Sequence, residues 1–149
     1  MAISGSGLYV ATLQDVLDTT QLALDLDLET HKGALFSNSI TPNYTTDTAY
    51  GVAPYNANEV TGTNWAAGGV ALVGTGLSAS GGVLTFDGTD VSVASTTISA
   101  ARGYQLYADA LGGNNAILLV DFGADYATSN GTFAIVWAAG GIFTLDLVP

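Results

Sequence analysis

His31 is the only histidine in the chain, and there is no cysteine. A Ser-His-Asp triad would therefore have to be built on His31 beside Lys32, and no Gly-x-Ser-x-Gly elbow accompanies it. A surface histidine near a strand end is the plainer reading. One imidazole and no thiolate leave no first shell for a zinc-type metal. Calcium needs only oxygen, and Asp25, Asp27 and Glu29 alternate along one segment while Asp87 and Asp90 flank a turn. Alternate strand residues stand roughly 7 Å apart, whereas calcium requires six to eight oxygens converging on a point. The Asp-x-Asp-x-Asp-Gly loop is absent, so the carboxylates read as a solvated face. A carboxylate pair for glycoside hydrolysis is available in any acidic chain and carries no specificity.

Gly74-Thr75-Gly76 runs into Leu77-Ser78-Ala79-Ser80, which completes neither a dinucleotide fingerprint nor a Walker loop. Asn43-Tyr44-Thr45 and Asn130-Gly131-Thr132 fit the glycosylation pattern, but Asn130-Gly131 reads better as a hairpin turn. Trp65 and Trp137 fall near strand segments and read as core or interface packing before a sugar platform. The expectation is a protein without catalytic residues, cofactor or metal, and not an enzyme.

The elements that carry these residues follow from periodicity. Tyr9, Leu13, Val16 and Leu17 form one helical stripe, with Ser6 available as a cap, and predict a short helix over residues 7–19. The period then changes, as Leu22, Leu24, Leu26 and Leu28 alternate with Ala23, Asp25, Asp27 and Glu29. Period two predicts a half-buried strand, leucines inward and carboxylates outward. A second strand follows at residues 33–37. Residues 41–58 lose all periodicity, and loops of this length in a compact domain tend to be functional. Tyr44, Tyr50 and Tyr55 make this segment an expected arm that packs on a neighbouring chain, because aromatic side chains are enriched at protein interfaces.

From residue 69 onward short apolar runs at 69–73, 83–86, 91–94, 104–107, 116–120, 133–137 and 142–145 are separated by Gly, Asn, Asp and Ser. Pairs such as Gly81-Gly82, Gly112-Gly113 and Gly140-Gly141 supply turn chemistry. The pattern predicts one all-β domain over residues 1–149, an antiparallel β-sandwich of jelly-roll or Greek-key type with one N-terminal helix. Its expected core is Leu24, Leu26, Leu35, Leu72, Leu84, Phe86, Leu118, Val120, Phe133, Ile135 and Trp137. At 149 residues roughly two-thirds of the unfolded surface can be buried, so neither disulfide nor metal is needed to hold it.

Charge narrows the partners. Thirteen acids face only Lys32 and Arg102, a net charge of -11, which repels nucleic acid and anionic membranes. Only 10% of residues are charged, so much of the surface is Ser, Thr, Asn, Gly or apolar, and exposed apolar area marks protein contact. No apolar stretch reaches membrane-spanning length and the first residues lack the basic start of a signal peptide, so a soluble, unsecreted protein is expected.

The block Val60-Thr61-Gly62-Thr63-Asn64-Trp65-Ala66-Ala67-Gly68-Gly69 resembles the Val-Thr-Gly-x-Gly-Tyr-x-x-Gly-Gly block of a family of small virion proteins of tailed bacteriophages and prophages. The similarity continues through Ala100-Ala101-Arg102-Gly103-Tyr104, Val120-Asp121-Phe122-Gly123 and the segment from Asn130 to Trp137, with Gly141-Ile142 after it. Lys32-Gly33-Ala34-Leu35-Phe36 looks like the family's early Ile-Lys-Val-Ala-Leu strand. Asn64-Trp65 stands where the family has Gly-Tyr, and His31 where it has an apolar residue. The resemblance implies a structural protein of the particle, made in the bacterial cytoplasm and located in the virion.

Low charge density, high hydropathy and the lack of a fibre repeat suit a capsid decoration protein on the head exterior. Its expected partners are the major capsid protein and copies of itself, as a homotrimer at threefold junctions where avidity multiplies weak contacts. A tail or receptor-binding component is the alternative.

Overall fold

The structure is a computed structural model that describes residues 2–19, 21–27 and 30–148. In chain order the elements are β1 (Gly7–Leu8), α1 (Val10–Leu17), β2 (His31–Phe36), β3 (Glu59–Val60), β4 (Val70–Leu72), β5 (Gly76–Ser80), β6 (Val83–Asp87), β7 (Val91–Tyr107), β8 (Ala116–Ile135) and β9 (Phe143–Asp146). The main sheet has the order β1-β8-β7-β2-β3, with β4 also on β2, and a second sheet has the order β5-β6-β9. Every strand pair is antiparallel. The architecture is all-β and sandwich-like with one short helix.

β2 is the centre of the main sheet. One edge pairs with β7 from Lys32 to Phe36, while the other pairs with β4 at His31 to Gly33 and with β3 at Leu35 and Phe36. Both faces of such a strand are covered, which is why alternate residues serve different cores. Leu35 joins a cluster with Trp65, Leu72, Phe86, Leu106 and Phe133. Ala34 and Phe36 join a second cluster with Ile3, Tyr9, Ile40, Tyr55 and Tyr107. The small sheet supplies Phe86 and Phe143 to the first cluster, and the segment 41–58 supplies Tyr44, Tyr50 and Tyr55 to the second.

The glycines at the centre permit close approach. A Cβ at Gly33 would overlap the ring of Tyr104 on the neighbouring strand. Gly69, at φ +74°, lies against the carbonyl of Gly33, where a side chain would meet backbone. Two blocks distant in sequence thus lock together through missing side chains.

Several expected elements come out differently. The helix spans Val10–Leu17 and not residues 7–19, because Gly7 and Leu8 pair with Leu119 and Leu118. Its N-cap is Tyr9, without a side-chain cap, and the hydroxyl of Ser6 accepts the N–H of Asp121 instead. Leu17 is exposed, while Thr12 is buried with its hydroxyl donating to the Ala116 carbonyl at 2.5 Å.

No strand forms over the described residues 21–27, and Leu28 and Glu29 lie outside the described residues. The burial alternation survives without the ladder: Leu22, Leu24 and Leu26 are half-buried, while Ala23, Asp25 and Asp27 are exposed. Local bonds occupy the backbone, with Leu22 N–H on the Asp15 carbonyl, Leu24 N–H on the Leu22 carbonyl and Asp27 N–H on the Asp25 carboxylate.

In the second half the expected strands 91–94 and 104–107 fuse into β7, and 116–120 and 133–137 largely into β8. Register shifts between Val93 and Gly103 bend this long pair. Asn130-Gly131 is not a hairpin turn: Asn130 at φ 51° sits in a bulge of β8, where Thr96 opposes Gly131 and Ile98 opposes Thr128. The buried Thr96 hydroxyl fixes that bulge through the Gly131 carbonyl at 3.0 Å and the Thr128 hydroxyl at 2.8 Å. Gly81-Gly82 does form the expected two-residue turn, joining β5 to β6 with both φ values positive.

Of the expected core, Leu35, Leu72, Phe86, Leu118, Phe133 and Ile135 are buried, and Leu24, Leu26, Val120 and Trp137 pack against them. Leu84 is only half-buried, on the three-stranded sheet.

Candidate interaction surface

The three tyrosines expected to anchor a neighbouring chain are built into their own. Segment 41–58 lies over the face of the main sheet that carries Phe36 and Tyr107. Tyr55 is 2% exposed, its ring edge-on to Phe36 at 5.3 Å and to Tyr9 at 5.9 Å. Tyr50 stacks on Tyr107 at 4.4 Å with the planes 11° apart. Tyr44 leans on Tyr9 at 5.5 Å.

The hydroxyls form a connected polar layer. Tyr9 donates to Tyr55 at 2.5 Å, Tyr55 donates to the Asp47 carboxylate at 3.0 Å, and the Gln105 side chain donates to Tyr9 at 3.3 Å. Tyr44 donates to the Gly5 carbonyl, and Tyr50 to the Glu59 carboxylate at 2.9 Å. Glu59 also accepts the Gly68 N–H, and Tyr107 donates to the Gly68 carbonyl.

Burial is the main cause that lifts these phenols. Tyr44 is pushed up to about 12 with help from Asp121 and Asp47, and Tyr50 to about 12 with help from its bond to Glu59. Tyr9, Tyr55, Tyr104 and Tyr107 are raised further, again chiefly by burial. All six remain protonated at neutral pH, and Tyr9, Tyr44, Tyr50, Tyr55 and Tyr107 donate hydrogen bonds in that form.

The other residues singled out by the sequence are dispersed. His31 opens β2 as expected, but it is buried and not on the surface, its ring edge-on to Phe86 at 6.2 Å. Placement opposite Leu72 on a doubly covered strand accounts for this. The carboxylate of Asp87 accepts the Gly88 N–H as a local turn bond, and that of Asp90 accepts the Trp137 N–H, tying the start of β7 to the chain just beyond β8. Among the described residues no three His, Cys, Asp or Glu side chains converge as a metal site.

Gly74-Thr75-Gly76 leads into β5, an edge strand that periodicity did not reveal. Trp65 is fully buried, edge-on to Phe133 at 5.4 Å, and so offers no platform. Both cations are paired, Lys32 with Asp109 at 3.0 Å and Arg102 with Asp121 at 2.9 Å. No described helix is long and apolar enough to cross a membrane.

The surface that stands open is on β8. β1 pairs with its outer edge at Leu118 and Leu119, Tyr9 and Thr48 bond the backbone of Ile117 and Ala116, and the Ser6 hydroxyl takes the Asp121 N–H; from Phe122 to Ile135 no described residue forms a ladder on that edge. A groove of about 520 Å³ follows the edge, with Val120, Phe122, Tyr126, Phe133, Ile135 and Trp137 among its walls. Consecutive residues from Thr132 to Trp137 line it. Successive strand side chains point to opposite faces, so residues of both faces of β8 contribute to the groove's walls.

Tyr126 is 52% and Val136 74% exposed there. From residue 126 to residue 145 the chain carries no Asp, Glu, Lys or Arg. The sequence placed an apolar strand here but not its edge position, because the short neighbour β1 lay inside the predicted helix.

Compared with known proteins, the chain matches no family model, no curated protein and no solved structure.

Proposed function

We propose that the chain is a non-enzymatic structural subunit of a bacteriophage virion, acting as a decoration protein bound to the major capsid protein on the outside of the head. The observation that carries the contact role is the groove on the open edge of β8: its lining residues carry no charge and are partly apolar, on a chain whose net charge is -11. Strips of this kind are docking surfaces, because an unpaired strand edge and exposed apolar groups both gain from a protein partner.

The virion assignment draws on the resemblance of the sequence blocks. In the fold these blocks are architectural. Gly69 backs onto Gly33, Trp65 packs on Phe133, and Arg102 pairs with Asp121. What the resemblance carries over is therefore a scaffold, in keeping with a structural role.

The test is cryo-electron microscopy of purified particles carrying the protein, together with heating of particles that lack it. Density for the domain on the capsid exterior, and DNA release at lower temperature without it, are expected. Density confined to the tail would replace this reading with a tail or receptor-binding component.

A further inference from the structure

Two copies of a chain this acidic repel each other wherever their carboxylates meet, so self-association favours a surface without charge. The stretch from residue 126 to residue 145 is such a surface, and it includes the free edge of β8 up to Ile135. Within it, Thr132-Phe133-Ala134-Ile135-Val136 is the straight portion. Phe133, Ala134 and Ile135 pair with Val93, Ser92 and Val91 without a register shift, and the bulges begin only beyond Val93. Natural sheets guard a flat edge with lysine, proline or an inward charge, and none of these occurs here.

This pentapeptide is also close to symmetric about Ala134. Phe133 and Ile135 flank it on the inner face, 7% and 8% exposed, while Thr132 and Val136, both β-branched, flank it on the outer face and are exposed. An antiparallel pairing centred on Ala134 sets Thr132 against the partner subunit's Val136 and Phe133 against the partner subunit's Ile135. Each contact then occurs twice, as a twofold axis requires. Apolar and β-branched cross-strand pairs of this kind favour the ladder. The groove is lined by every residue of this segment, Thr132 to Val136, so it runs alongside the backbone that an added strand would pair with.

We infer that the free edge of β8 pairs with the same edge of a second copy about a twofold axis at Ala134, joining two main sheets into one. The proposal stands apart from the virion reading, since the pair forms in the isolated protein. It also differs from the trimer expected from the sequence, because an isologous edge contact closes at two chains.

The chain has no cysteine, so a single introduced thiol reports on one position. Ala134→Cys should give a disulfide-linked dimer on mild oxidation, because the two residues at the axis face each other. Ala79→Cys, on the exposed edge strand β5, should not. Sedimentation of the unmodified protein should give the mass of two chains. Ala134→Lys, which sets two like charges opposite each other, should weaken the dimer by about tenfold or more while leaving the circular dichroism spectrum and thermal midpoint of the dilute protein unchanged.

A monomer at all concentrations overturns the proposal and leaves the edge to a segment of another protein. A trimer also overturns it. So does a dimer that survives Ala134→Lys, or one in which Ala134→Cys fails to cross-link.

Discussion

At the Tyr107 end of the β7–β8 pair, Tyr50 stacks on Tyr107, Tyr55 lies edge-on to Phe36, and the phenol hydroxyls bond to Asp47, Glu59, Gly5 and one another. At the Ile135 end, Tyr126 and Val136 stand half or more exposed along an edge that no described residue pairs. Aromatic content is similar in the two regions, but polar satisfaction is not. A tyrosine whose ring is packed and whose hydroxyl is bonded has little left to give a partner. An unpaired backbone edge keeps its donors and acceptors available whatever side chains it carries. Aromatic residues in an irregular segment can thus be taken up by the segment's own sheet, whereas an open backbone edge stays open until another strand pairs with it.

The largest test of this contrast is alkaline pH. Phenols raised in the folded state contribute stability that is fully present below their unfolded value of 10 and is lost as pH rises through the folded values, which reach about 12 for Tyr44 and Tyr50. Unfolding should therefore set in between pH 10 and 12, followed by circular dichroism together with tyrosinate absorbance. If Tyr44 and Tyr50 ionise well below that transition, while the chain is still folded, the tyrosine layer is not the closed structure described.

Next comes Tyr55→Ala. The ring is buried against Phe36 and Tyr9, and its removal leaves a cavity and frees the Asp47 bond. A loss of about 3–5 kcal/mol is expected in urea unfolding, as for other large aromatic truncations. A change under about 1 kcal/mol would mean that segment 41–58 is held elsewhere than on its own sheet.

Tyr9→Phe keeps the ring and removes only the hydroxyl. The Gln105 amide then loses its acceptor and Tyr55 loses its donor, in a layer where the Gln105 carbonyl oxygen already lacks a partner. A loss of about 1–3 kcal/mol is expected. The midpoint of alkaline unfolding should move as well, because one raised phenol is gone.

How legible these two regions were in the sequence differs for physical reasons. Apolar runs bounded by glycine marked most strands of the second half, since each carries its own turn signal, as Gly81-Gly82 does. They could not show that 91–94 and 104–107 are one strand, because bulges at Ser95 and Ala100, both at positive φ, look like breaks in the pattern. β5 was hidden because Leu77-Ser78-Ala79-Ser80 lies exposed at a sheet edge and has no buried stripe to reveal it. The alternating leucines at 22–26 reported burial correctly and secondary structure wrongly, since period two is satisfied by any extended chain lying on a core. His31 gave no sign of burial, because its environment is made by β4 and β6, both distant in sequence. The site was the least legible part: being an edge is a property of a strand's neighbours, and no residue within β8 encodes it.

The smallest expected effect completes the contrast. Val136 is 74% exposed just beyond the end of β8 and lies in the wall of the groove. Replacing it with aspartate removes little buried area, leaves no cavity and breaks no hydrogen bond of the folded chain. Val136→Asp should therefore change the stability of the dilute protein by no more than about 0.5 kcal/mol, as surface substitutions do. At concentrations where the unmodified protein associates, the same change introduces a carboxylate into the uncharged stretch from residue 126 to residue 145 of a strongly acidic chain, and association should fall. Parallel urea melts and sedimentation runs separate the two quantities. A stability loss comparable with Tyr55→Ala would show that Val136 belongs to the core and that this end of the molecule is as closed as the other.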